Sequence, residues 1–182
     1  MKYCLLACYL TLPFFSYGSG TDKYMELIQR ALDRQPALCL GETQWPVSIA
    51  RGESVWINAK MEALVDVGLV KAQLTSNRKI WSLTRIGEAE FNKNSDFCYG
   101  RVRIKKIENI VSCDGGNKSV IFYYYIENLP RWAKAKSIRG AYTDLDNLVM
   151  GIDSARYQAD LATSVTGSMK VIREPYQLDL LY

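Results

Sequence analysis

Between Thr21 and Gln35 the apolar residues Tyr24, Leu27, Ile28, Ala31 and Leu32 recur at helical spacing, with polar residues between them. That period predicts an amphipathic helix, capped by Thr21 or Asp22 and stopped by Pro36. After a loop containing Trp45-Pro46, the stretch from Val47 to Arg51 reads as a short helical turn. Ser54 then opens a longer helix through Val67, with Trp56 or Ile57, Met61, Leu64 and Val65 on its apolar face and Val67 at its end. Gly68 stops it, because glycine takes the left-handed C′ conformation without strain. "LVKAQL" and "KIWSLT" flank "TSNRK" and predict a two-stranded hairpin, after which Thr84 caps a helix through Phe91.

From Phe97 onward the period becomes two. Val102 and Ile104, continuing toward Ile107, alternate with Arg101, Arg103 and Lys105; "CDGGNKS" supplies turn residues, and "VIFYYYIENLP" follows as a β-branched and aromatic strand. Arg101, Arg103 and Lys105 would form a basic stripe, read either as a solvated sheet face or as a site for an anion or acidic partner. Tyr123 and Tyr125 share the face opposite Phe122 and Tyr124. One pair can therefore enter the core while the other lies under the helical half, as a domain interface, or at the surface, where with Trp132 nearby it would be an aromatic anchor for a partner or apolar ligand. Beyond Pro130 the pattern predicts a long connection with one or two helical turns within Ile138 to Met150. "YQADLATSVTGSMKVI" then returns to the hairpin as strand, with a turn or bulge at Gly167. The predicted class is α+β: a signal segment at 1–18, a helical half at 19–95 and a small antiparallel β-sheet half at 96–182.

The order helix, helix, hairpin, short helix over residues 21–93 resembles the winged-helix fold, with "ALVDVGLV" followed by "WSLTRIGEAEF" carrying the resemblance. In winged helices that bind DNA, the helix before the wing enters the major groove. The corresponding residues here are Asn58, Lys60, Glu62 and Asp66, flanked by Arg51, Arg78 and Lys79. Two carboxylates on that face argue against DNA as the partner, and the resemblance is to a fold, not to an activity. A membrane-anchored or cytoplasmic DNA-binding regulator remains the alternative reading.

Charge and destination sharpen the choice. The formal net charge of +4 is spread along the chain, without the clustered basic footprint of a phosphate-backbone binder. The opening "MKYCLLACYLTLPFFSYGSG" has one basic residue, an uncharged apolar run and small residues with peptidase spacing at Ser16 and Gly18. This predicts export with cleavage near Gly18, with a retained anchor or a lipoprotein box at "LLAC" as alternatives. Past this segment no run is apolar enough to span a bilayer. Cys39, Cys98 and Cys113 would then meet an oxidising compartment, where Cys39 with Cys98 is the preferred disulfide and Cys98 with Cys113 its rival. Three reduced thiols are expected if the signal reading is false.

The chain has no histidine, which removes Ser-His-Asp and Cys-His catalysis and the commonest zinc ligand. "DGGNKS" lacks phosphate-loop spacing, and Ser76-Asn77-Arg78-Lys79 matches Ser-x-x-Lys only in a turn, without companion motifs. Asp144 with Asp146 and Glu88 with Glu90 lack the rest of a calcium-binding ladder. No catalytic residue, metal site or cofactor is therefore expected. The plan of an exported chain with "FCYGRVRIKKIENI" and "YIENLPRWAK" after a helical half is similar to the small periplasmic proteins that accompany carbapenem self-resistance in some enteric bacteria. That resemblance implies a periplasmic, non-hydrolytic role in antibiotic tolerance and carries over no site residue. The expected partner is a protein or small molecule, and an open sheet edge invites pairing with a second copy as a homodimer.

Overall fold

The computed structural model describes residues 20–50 and 52–178; the expected signal at 1–18 and the expected groove-facing Arg51 lie outside the described residues. The first half contains α1 (Asp22–Asp33), β1 (Leu38–Cys39), β2 (Val47–Ala50), α2 (Val55–Asp66), β3 (Val70–Leu74), β4 (Arg78–Leu83) and α3 (Arg85–Phe91). The second contains β5 (Cys98–Ser112), β6 (Lys118–Glu127), α4 (Lys136–Ala141), α5 (Thr143–Met150), β7 (Arg156–Thr163), β8 (Met169–Val171) and β9 (Tyr176–Gln177). The fold is α+β, and both sheets are antiparallel.

Local chemistry sets the boundaries in the first half. Ser54 Oγ accepts from the Ile57 amide at 3.3 Å and Thr84 Oγ1 from the Gly87 amide at 3.0 Å, so each hydroxyl satisfies an otherwise unpaired helix-start donor. Gly68, at φ +76°, closes α2 in the conformation that its lack of a side chain permits. Thr21 occupies the cap position of α1 but makes no side-chain cap bond.

The expected helical turn at Val47 to Arg51 is instead a strand over its described part. Val47, Ser48, Ile49 and Ala50 pair with Trp81, Ile80, Lys79 and Arg78, giving a three-stranded sheet in the order β2-β4-β3. Sheet pairing satisfies four backbone positions and seats Ile49 in the core, which one isolated helical turn could not do.

The larger sheet runs β1-β5-β6-β7-β8, with β9 also on β7. The β5–β6 register skips Lys105 and Glu108, two bulges in β5. Because each bulge inserts one residue, Ile107 and Ile110 oppose Phe122 and Val120 on the core face already taken by Val102 and Ile104. A strict period of two would have turned Ile107 outward.

Two hydrophobic clusters result, and their packing crosses the 95/96 point of the chain in both directions. Ile28 and Leu32 of α1 join Val102, Ile104, Phe122, Tyr124 and Leu161 in the core of the larger sheet. Ile138, Tyr142 and Leu145 from beyond that point join Met61, Leu64 and Trp81 in the other core. Phe97 lies at the centre of the latter, with Trp45, Phe91 and Trp132 edge-on at 5.8, 6.0 and 6.2 Å between centroids. Such edge-to-face contacts add to the gain from apolar burial. Among the described residues no helix is long and apolar enough to cross a membrane.

Candidate functional site

Cys39 and Cys98 face each other where β1 meets β5 and form a disulfide, while Cys113 is free and exposed. Immediately beside the bridge, the buried Asp96 carboxylate accepts amide hydrogen bonds from Gly41, Glu42 and Phe97 at 2.9, 3.0 and 2.6 Å. The carboxylate fastens the loop after β1 to the start of β5, a role that an isolated Asp in the sequence does not reveal.

The expected basic stripe is largely neutralised within the fold. Arg101 donates to the Gln35 carbonyl at 2.7 Å, and Arg103 donates to Glu127 at 2.8 and 2.9 Å and pairs with Asp33 of α1. Lys105, in the first bulge, pairs with Asp153 at 2.6 Å. Tyr123 donates to Glu108 at 2.5 Å and lies under the Lys106 ammonium, 4.8 Å from its ring centroid. Tyr125, directly opposite Arg103, is 41% exposed. Arg103, Tyr123 and Tyr125 thus share the outer face of the sheet, but Trp132 does not join them. Its ring packs against Phe97 in the other core, which corrects the expectation of a tyrosine–tryptophan surface anchor.

The basic residues near α2 are also held internally. Lys79 contacts Glu62 at 2.9 Å and Asn58 at 3.3 Å, Lys60 contacts Glu42 at 3.4 Å, and Arg78 donates to Ser48 Oγ at 2.8 Å. Burial pushes the Glu62 carboxyl up, but hydrogen bonds from Lys79 and Trp81 outweigh it, and the net direction is down.

The most conspicuous surface feature is the start of α2. Val55 is 81% exposed and Trp56 77%, and Leu74 at the end of β3 is 60% exposed. Val55 and Leu74 border a groove of about 390 Å³ that also takes in Ile49, Asn58 and Lys79. Here the core between α2 and the small sheet opens to solvent. Trp56 borders a separate cleft of about 310 Å³ together with Lys60, Tyr99, Tyr142 and Asp144. Burial drives the Tyr99 hydroxyl up to about 12, aided by Asp144 and Tyr157, and raises Tyr142, aided by Glu42 and Asp96. Both phenols are therefore neutral at physiological pH.

The sequence offers Trp56 or Ile57 for the core face of α2; the structure leaves both exposed, Trp56 the more fully. Trp56 shares a helix face with Ala63, two turns on, which is buried, but the first turn, Val55 to Ile57, is exposed. A signal was present in the sequence: Val55, Trp56 and Ile57 are consecutive, and at 100° per residue three neighbours cannot all face one core.

Among the described residues no group of three His, Cys, Asp or Glu side chains is placed to hold a metal ion. No protein-family model, curated protein or solved structure matches the chain.

Proposed function

We propose that this chain is an exported, non-catalytic interaction protein whose contact surface is the apolar start of α2 and the neighbouring end of β3. The observation that carries this reading is the exposure of Val55 and Trp56, next to a groove that continues the core. Large apolar side chains grouped at the surface are characteristic of partner-binding sites. The Cys39–Cys98 disulfide fits an oxidising compartment, and the absence of histidine from the chain fits a role without acid–base chemistry. The small sheet and the capped α3 fit a winged-helix-like module used as scaffold, since Lys60, Arg78 and Lys79 are held by protein groups rather than presented to phosphate.

Together with the resemblance described above, this reading extends to carbapenem tolerance in a Gram-negative periplasm. Cells exporting the chain should survive a carbapenem better than cells expressing it without residues 1–18. Val55→Ser/Leu74→Ser, accumulated to the same level, should lose the protection. Equal survival of cells with the exported, signal-less and doubly substituted chains would refute the proposal.

A further inference from the structure

The cleft behind Trp56 carries chemistry that the interaction surface does not require. Its floor is rigid: Tyr99 and Tyr142 are buried, and the adjoining Cys39 is fixed by the disulfide. Its single lining cation, Lys60, is already engaged, 3.4 Å from Glu42 and 5.1 Å from the centroid of the Tyr142 ring. The Asp144 carboxylate is exposed, close enough to Tyr99 to raise that phenol, and engaged by no side-chain hydrogen bond or ion pair among the described residues. Glu42, which pairs with Lys60, and Asp96 add negative charge near Tyr142, so the Lys60 charge is offset within the fold and that of Asp144 is left for a ligand. The large indole of Trp56 borders the same space, and an aromatic face attracts a cation that has shed part of its water.

We propose that this cleft binds a small organic cation, an ammonium or guanidinium group on a flat or apolar body, with the charge at Asp144 and the body against Trp56. Lys60 is the internal precedent, a cation held between a carboxylate and an aromatic ring in the same cleft. The cleft volume of about 310 Å³ lies at the lower end of the range for small-molecule sites, which limits the ligand to roughly one ring with a short arm. The cleft shares Trp56 with the proposed contact surface but takes in neither Val55 nor Leu74, so Val55→Ser/Leu74→Ser tests that surface and Asp144→Asn tests the cleft, each without the other.

The test is calorimetric titration of the disulfide-bonded protein with phenethylamine, using phenylethanol and phenylacetate as neutral and anionic counterparts. Phenethylamine should bind and the other two should not. Asp144→Asn should weaken binding about tenfold, the size expected for losing a charge-assisted hydrogen bond. Trp56→Ala should weaken it about fivefold through the lost ring, while Val55→Ser/Leu74→Ser should leave it unchanged. Trp56 and Asp144 are exposed, so their variants should fold like the parent, which thermal melts check. No heat with phenethylamine at millimolar concentration, equal binding of phenylacetate, or unchanged affinity in Asp144→Asn would overturn the proposal.

Discussion

Removing the disulfide should destabilise the protein chiefly by loosening its unfolded chain. Cys39 and Cys98 are 59 residues apart in sequence, and the loop they close contains all of β2, α2, β3, β4 and α3. For a loop of that length the chain-entropy relation gives about 4 kcal/mol of stabilisation. The native junction keeps other ties when both cysteines become alanine: Leu40 donates to the Phe97 carbonyl at 3.1 Å, and Asp96 retains its three amide donors. The folded state of Cys39→Ala/Cys98→Ala should therefore persist. Urea unfolding followed by tryptophan fluorescence should show about 4 kcal/mol lower stability and a larger denaturant slope, because an unlinked unfolded chain exposes more surface. Cys113→Ser, at an exposed position, should stay within about 0.5 kcal/mol of the parent. A loss below about 1 kcal/mol in the double variant with an unchanged slope would refute the reasoning.

Acid should weaken the sheet through Asp160. Burial pushes this carboxyl up, but hydrogen bonds from Ser119, Gln158 and Arg173 outweigh it and hold the group below its ordinary value of 3.8. A folded pKa below the unfolded one stabilises the protein fully above about 3.8, and the benefit is lost as pH falls through that value toward the folded pKa. Denaturation at a series of pH values from 6 to 2.5 should show a shallower acid decline in Asp160→Asn than in the parent, and parallel declines would contradict this. Gly87→Ala should cost about 3 kcal/mol or more in thermal unfolding, because a Cβ there would lie 1.8 Å from the Leu69 carbonyl oxygen. Gly140→Ala, inside α4 with nothing within 4 Å, should instead gain about 0.5–1 kcal/mol, so the two alanines should move the melting temperature in opposite directions.

Elements governed by local chemistry were legible in the sequence. Ser54, Gly68 and Thr84 mark helix ends through groups within a few residues, and the β5–β6 hairpin follows from alternation around "CDGGNKS". The disulfide pairing also emerged from the order of the elements. What could not be read depends on distant partners. Val47 to Ala50 becomes a strand only because β4 offers an edge some 30 residues later. The bulges at Lys105 and Glu108 are registered against β6, and α1 packs on β5, a strand that begins only after the whole α2 module. The candidate surface is hidden for the same reason, since the exposure of Trp56 depends on which distant elements reach the first turn of α2. Arg101, Arg103 and Lys105 alternate in the sequence, but the bulge at Lys105 breaks that period, and Gln35, Asp33, Glu127 and Asp153, which engage them, come from three other parts of the chain.

Export into an oxidising compartment is the premise on which the proposed function rests, and the most direct measurement is intact mass from separated cell fractions, with and without reductant and alkylation. The account predicts a chain in the periplasmic fraction that begins near Ser19, takes up one alkyl group at Cys113 before reduction and gains two more, at Cys39 and Cys98, after it. A full-length chain in the cytoplasmic or membrane fraction, with all its cysteines alkylated before reduction, would contradict the account and return attention to duplex DNA.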